Sequence, residues 1–229
     1  MLSFGAVLHP RVRVLHQAKG LIALSKAAGV LSHPNQAADW SRSVFGCRYS
    51  MQEEVYLLGT HKLWLVHRID SDTSGVLLVS EDEHVAKAVK REFASRTVSK
   101  EYLAIVFGKP SQTQGLWRDV FSPQKTAVTR FELLSTVNTF PMRSLLALYP
   151  STGFKHQLRM QCARHGVPIV GDSIYGNFVL NREIAHLYPT AKDCMFLHAS
   201  RVTLSYCVAN ESHSFTASDA PPQYFNLLQ

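Results

Sequence analysis

Val76-Leu77-Leu78-Val79 is an unbroken apolar run, the pattern of a buried strand, and it predicts a strand over 75–80. Before it, residues 12–15 and 21–25 read as a strand pair, followed by a turn-rich segment from Lys26 to Pro34. Residues 35–62 carry a mixed polar pattern and suggest loops plus a short helix ending near Leu58-Gly59. After the run, Ser80 or Asp82 can cap a helix of about 83–95. Its apolar stripe is Val85, Val89 and Phe93, and its outer face carries Lys87, Lys90 and Arg91. Further strands are expected at 102–107, 127–135, 144–149 and 202–206, with a helix at 154–165 closed by Gly166 and Pro168. No repeat, low-complexity tract or linker divides the chain. The expectation is one α+β domain over 1–229, a central, mostly antiparallel mixed β-sheet flanked by helices and loops.

Composition narrows the partners. At 229 residues, 46% hydrophobic and 18% charged, the chain has the make-up of a soluble globular protein with a sizeable core. No stretch approaches the roughly 18–20 apolar residues of a spanning helix, so no membrane partner is expected. The net charge of +7 fits a polyanionic partner. Lys and Arg crowd the middle third, and none follows Arg201. Four scattered cysteines, Cys47, Cys162, Cys194 and Cys207, fit reduced thiols and a cytoplasmic location. The start lacks a secretory signal, and although no acidic residue precedes Asp39, its strand-like pattern favours folded chain over a cleavable leader.

The chemistry-bearing residues cluster. His67-Arg68-Ile69-Asp70-Ser71-Asp72-Thr73-Ser74-Gly75 sets a carboxylate, hydroxyls, an imidazole and a guanidinium immediately before the buried strand. By itself Asp70 fits either a turn-forming aspartate or a catalytic carboxylate held ionised by a cation such as Arg159. The His-Arg-x-Asp order is shared with kinase catalytic loops, but the following Asn, a Gly-rich loop and Asp-Phe-Gly are absent. In Gly153–Cys162, helical spacing puts His156 and Arg159 on one face, Leu158 and Cys162 on the other. Lys100 and Tyr102 share a strand face. Cys162-x-x-His165 and Cys194-x-x-x-His198 have zinc-like spacing, but their placement about a helix end and before a strand argues against a metal site.

In order along the chain, these segments resemble the RluA family of RNA pseudouridine synthases. Residues 67–75 resemble its HRLD-x-x-TSG signature, Lys100-Glu101-Tyr102 its K-x-Y motif, and Gly153–Arg159 its GRTHQIR motif. Lys26–Pro34, Pro168–Gly176 and Phe196–Leu204 resemble three further blocks. The resemblance implies a pseudouridine synthase fold and isomerisation of specific uridines in ribosomal or transfer RNA stem-loops, by a monomer acting on RNA rather than DNA. It implies no metal or organic cofactor. Asp70 would be the catalytic carboxylate, Arg159 its basic partner, and Tyr102 the residue against the uracil. His67, Arg68, Thr73, Lys87, Lys90, Arg91, Lys100, Lys155 and His156 would contact RNA. Ile69, Ala27 and Phe154-Lys155 depart from the family pattern, which bears on substrate contacts more than on chemistry. The blocks begin near Met1, so a short form without the S4-type RNA-binding domain is expected.

Overall fold

The computed structural model describes residues 7–228, so the first six residues of the acid-poor start lie outside the described residues. In chain order the elements are β1 (Val12–Ala18), β2 (Leu21–Lys26), a 3-10 turn (Ala37–Arg42), β3 (Arg48–Ser50), β4 (Val55–Leu58), β5 (His61–Leu65) and β6 (Ser74–Ser80). There follow α1 (Glu83–Ser95), β7 (Ser99–Phe107), β8 (Gln114–Ser122), β9 (Lys125–Val137), β10 (Arg143–Pro150), α2 (Gln157–Arg164), α3 (Phe178–Leu187), β11 (Leu197–Val208) and β12 (Glu211–Ser218). Many antiparallel strands and few helices make this an α+β fold. The chain divides into two compact units, one of Met1–Ser99 and Arg201–Asp219, the other of Lys100–Ser200 and Ala220–Gln229.

In the first unit β2 lies along β6, with Leu21 opposite Ser80 and Lys26 opposite Gly75. Lys19 and Gly20 both take positive φ (53° and 76°) and turn β1 back onto β2, the conformation a two-residue hairpin needs. Asp82, rather than Ser80, caps α1: its carboxylate accepts from the backbone N–H of His84 (2.7 Å) and Val85 (3.1 Å). Val85 and Val89 then bury against Leu21, Val76 and Leu78, together with Leu204 and Phe215 of the returning β11–β12 hairpin. The helix expected to end near Leu58-Gly59 is instead the β3–β4–β5 meander. Strands of three to five residues are too short for alternation to register, and Gly59, at φ 59°, is a hairpin turn rather than a helix end.

The second unit is an antiparallel sheet in the order β7-β10-β9-β8. Alternation along β7 serves two cores. Ala104 and Val106 pack with Leu146, Leu148 and, from α2, Leu158 and Cys162, while Ile105 and Phe107 pack with Val170, Ile184 of α3 and Phe196. The helix expected from 154 begins only at Gln157, because His156 is left-handed (φ 56°). The Gln157 Oε1 accepts from the Thr152 hydroxyl (2.7 Å) and the Phe154 N–H (3.2 Å), which holds 152–157 as a loop. The predicted stop stands: Gly166 takes φ 74°, and Val167 N–H donates to Cys162 O (2.9 Å).

Candidate active site

Asp70 lies in the first unit, half-buried, on a turn closed by the Thr73 N–H donating to the Asp70 carbonyl (3.1 Å). Residues 26–34 grip that turn. Ser32 Oγ donates to Ile69 O (2.7 Å) and accepts from Ile69 N (3.3 Å), and Gly29 N donates to Ser71 O (2.8 Å). The Tyr56 hydroxyl fixes Ser32 in turn, donating to its carbonyl (2.7 Å). Lys26 is fully buried, and its Nζ donates to Ser71 O (2.9 Å), Val30 O (2.7 Å) and Ala27 O (3.1 Å). Three N–H groups meet three carbonyls, the geometry of an ammonium. Burial pulls the Lys26 ammonium down to about 7, against the pull of the nearby Asp72 and Asp70 carboxylates and with the push of Arg11. Lys26 and Ser32 are support residues that sequence reasoning missed, although both stand in a block it had singled out.

The second unit holds Tyr102, Lys100, Lys155, His156 and Arg159. Arg159 is buried and grips Asp172 with two hydrogen bonds, Nε to Oδ2 and Nη2 to Oδ1, both 2.7 Å. Oδ1 also accepts from the Ile174 (2.8 Å) and Tyr175 (3.0 Å) N–H groups. Burial pushes the Asp172 carboxyl up, but the Arg159 guanidinium and those two N–H groups outweigh it and hold the pKa below the ordinary aspartate value. The turn around Asp172 needs its glycines. A Cβ at Gly171 would stand 1.8 Å from Cys194 O, and one at Gly176 would stand 2.1 Å from Asp172 O. Asp172 was also missed; the available signal was an aspartate between two glycines in the Pro168–Gly176 block.

His156 leaves the helix face expected to carry it with Arg159, and its Nδ1 lies 3.2 Å from the Tyr175 hydroxyl. Lys155 is exposed on the loop. Lys100 Nζ donates to Thr152 O (3.1 Å), and Tyr102 packs half-buried beside the core containing Leu148, its partner on β10.

Among the first unit's expected RNA contacts, Arg68 and Arg91 are exposed, Lys87 pairs with Glu83 (2.7 Å), and Lys90 pairs with Glu54 (2.6 Å). Thr73 and His67 are also tied into the fold. Thr73 is buried, and its backbone closes the Asp70 turn. His67 stacks on Phe93 (4.7 Å between centroids) and accepts from Leu78 N–H at Nε2 (3.0 Å), so it joins the turn to α1 and β6.

The model of the RNA pseudouridylate synthase family matches residues 20–164. An uncharacterized RNA pseudouridine synthase of Haemophilus influenzae is 30% identical over 207 residues, 85% of this chain and 83% of that protein. The tRNA pseudouridine synthase C of Yersinia pestis is 31% identical over 229 residues, 90% of this chain and 86% of that protein. The ribosomal large subunit pseudouridine synthase C of Rickettsia bellii is 34% identical over 181 residues, 72% of this chain but 56% of that longer protein. Among solved structures, human RNA pseudouridylate synthase domain containing 4 shares the fold, with a TM-score of 0.69 at 24% identity, covering 93% of this chain and 90% of the human one. With a family model across more than half of its length and relatives at 30% identity or above over most of it, this chain belongs to the RluA family of RNA pseudouridine synthases.

Proposed function

We propose that this RNA pseudouridine synthase isomerises specific uridines in structured transfer or ribosomal RNA, with Asp70 as its catalytic carboxylate. The relatives named for transfer RNA and for the ribosomal large subunit support that substrate class. The observation that carries the role of Asp70 is the grip on its turn: Lys26, Gly29 and Ser32 take hold of Ile69 and Ser71, the residues on either side. A catalytic carboxylate needs fixed aim, and a merely turn-forming aspartate needs no such support.

In the reaction the uridine N1–C1′ bond breaks, the uracil rotates, and C5 bonds to C1′. The C5 proton departs and N1 gains one, so nothing is oxidised or reduced. Asp70 serves either by attacking C1′ or by taking a ribose proton. Tyr102 and Arg159 take their roles beside the uracil and the carboxylate from the family resemblance. A uridine inside a stem must first be extruded, at a cost of about a few kcal/mol. Arg68, exposed two residues before Asp70, would fill the vacated stack.

Asp70→Asn is the test, read by tritium release from RNA carrying 5-tritiated uridine. We expect release to fall to background while RNA affinity stays within about threefold of wild type and the melting transition is unchanged. Full release by the variant would remove Asp70 from the chemistry.

A further inference from the structure

We propose that His33 is the positioning residue for Arg68, holding its guanidinium with a neutral imidazole so that the cation is aimed yet keeps its charge for RNA. The inference rests on the reading of Arg68 as an RNA-contacting residue.

The hydrogen bonds assign the imidazole's state. Nδ1 lies 3.1 Å from the Pro34 carbonyl, which can only accept, so Nδ1 carries the proton. Nε2 then presents a lone pair, and Arg68 Nη1, which can only donate, meets it at 3.0 Å. A doubly protonated ring would set N–H against N–H at that contact. The ring itself is fixed. It stacks on Tyr49 (5.2 Å between centroids, 12° between planes), and Tyr49 leans on Tyr56 (4.6 Å), which is fully buried. The Tyr56 hydroxyl donates to the Ser32 carbonyl, and Ser32 Oγ is bonded to both the N–H and the carbonyl of Ile69. The backbone beside His33 is therefore tied to the backbone beside Arg68, and an aromatic stack rooted in the core fixes the imidazole between them.

The choice of a neutral partner is informative. Three other cations of the chain are held by carboxylates: Lys87 with Glu83, Lys90 with Glu54, Arg159 with Asp172. A carboxylate aims a guanidinium but cancels its charge toward a phosphate or a base carbonyl. An imidazole lone pair aims it and leaves the charge uncompensated. Glu54, the carboxylate that acts on Tyr49, is itself bonded to Lys90. Arg68 has a long, flexible stem, and ordering it before RNA arrives lowers the entropic cost of binding.

The test compares His33→Phe, which keeps a ring for Tyr49 but has no acceptor, with His33→Gln, which restores one, each alone and combined with Arg68→Met. Tritium release is followed against the concentration of 5-tritiated-uridine total RNA from cells lacking this gene. We expect His33→Phe to raise KM roughly three- to tenfold with kcat within about twofold, and His33→Gln to recover most of the loss. In the Arg68→Met background His33→Phe should add nothing. On the free protein, side-chain 15N relaxation should show the Arg68 guanidinium ordered in wild type and His33→Gln, and averaged in His33→Phe. An equal effect of His33→Phe in both backgrounds, or an Arg68 guanidinium equally ordered without His33, overturns the inference and leaves the role of Asp70 standing. Failure of Asp70→Asn to lose activity would strike that role while leaving the NMR outcome intact.

Discussion

Lys26 answers two opposed demands. Its three carbonyl partners call for an ammonium, while complete burial disfavours the charge and draws the group down to about 7 from the ordinary lysine value of 10.5. The sign of the consequence is fixed by proton counting. Between about pH 7 and 10.5 the unfolded chain still binds a proton that the folded chain has released, so this residue makes stability rise with pH across that window. Below it both states are protonated, and the cost of burying the charge is fully present. Lys26→Met removes the titration and leaves buried carbonyls without their donor, at about 1–3 kcal/mol. Its deficit against wild type in urea unfolding should therefore be larger at pH 9 than at pH 6.5; an equal deficit would mean that Lys26 stays charged throughout. Asp70 could be singled out from its neighbours in the sequence, whereas Lys26 could not, because its grip on Ser71 spans 45 positions and a lysine ending a strand reads as solvated. The same holds for Asp172, bonded to Arg159 thirteen positions away.

At the scale of elements, legibility followed how local each signal is. Helix α1 was readable end to end because cap and stripe lie within fourteen consecutive residues: Asp82 bonds two N–H groups, and Val85, Val89 and Phe93 recur on one face. Asp82→Ala should cost about 0.5–2 kcal/mol, seen as a lower urea midpoint at unchanged slope. A negligible change would show that the Ser80 hydroxyl, which accepts from Asp82 N–H and donates to its carbonyl, carries the helix start. Helix α2 was misjudged at its first turn because apolar and polar positions alone cannot reveal that Gln157 bonds back to Thr152 and Phe154. Strands β8 and β12 and helix α3 escaped notice for a related reason. Each presents a half-exposed or weakly periodic pattern whose meaning comes from its partner, β9 for β8 and β11 for β12.

Across the whole molecule the net charge of +7 pointed to a polyanion before any residue did, and the ion pairs refine where that charge is available. On α1, Lys87 and Lys90 each hold a carboxylate, Glu83 and Glu54. The Lys87–Glu83 pair is exposed and the Lys90–Glu54 pair half-buried, so a phosphate can displace the Glu83 carboxylate with little loss. Each phosphate neutralised contributes about 0.7–0.9 to the slope of log affinity against log salt. If this face tracks the RNA backbone, Lys87→Gln, Lys90→Gln and Arg91→Gln together should weaken binding alike for all RNAs and flatten that slope by about 2–3. Glu83→Gln should move affinity the opposite way, because it removes the carboxylate that competes with phosphate for Lys87. Filter binding or fluorescence anisotropy between about 50 and 200 mM salt reads both changes. An unchanged slope in the triple variant would take α1 off the RNA-binding surface.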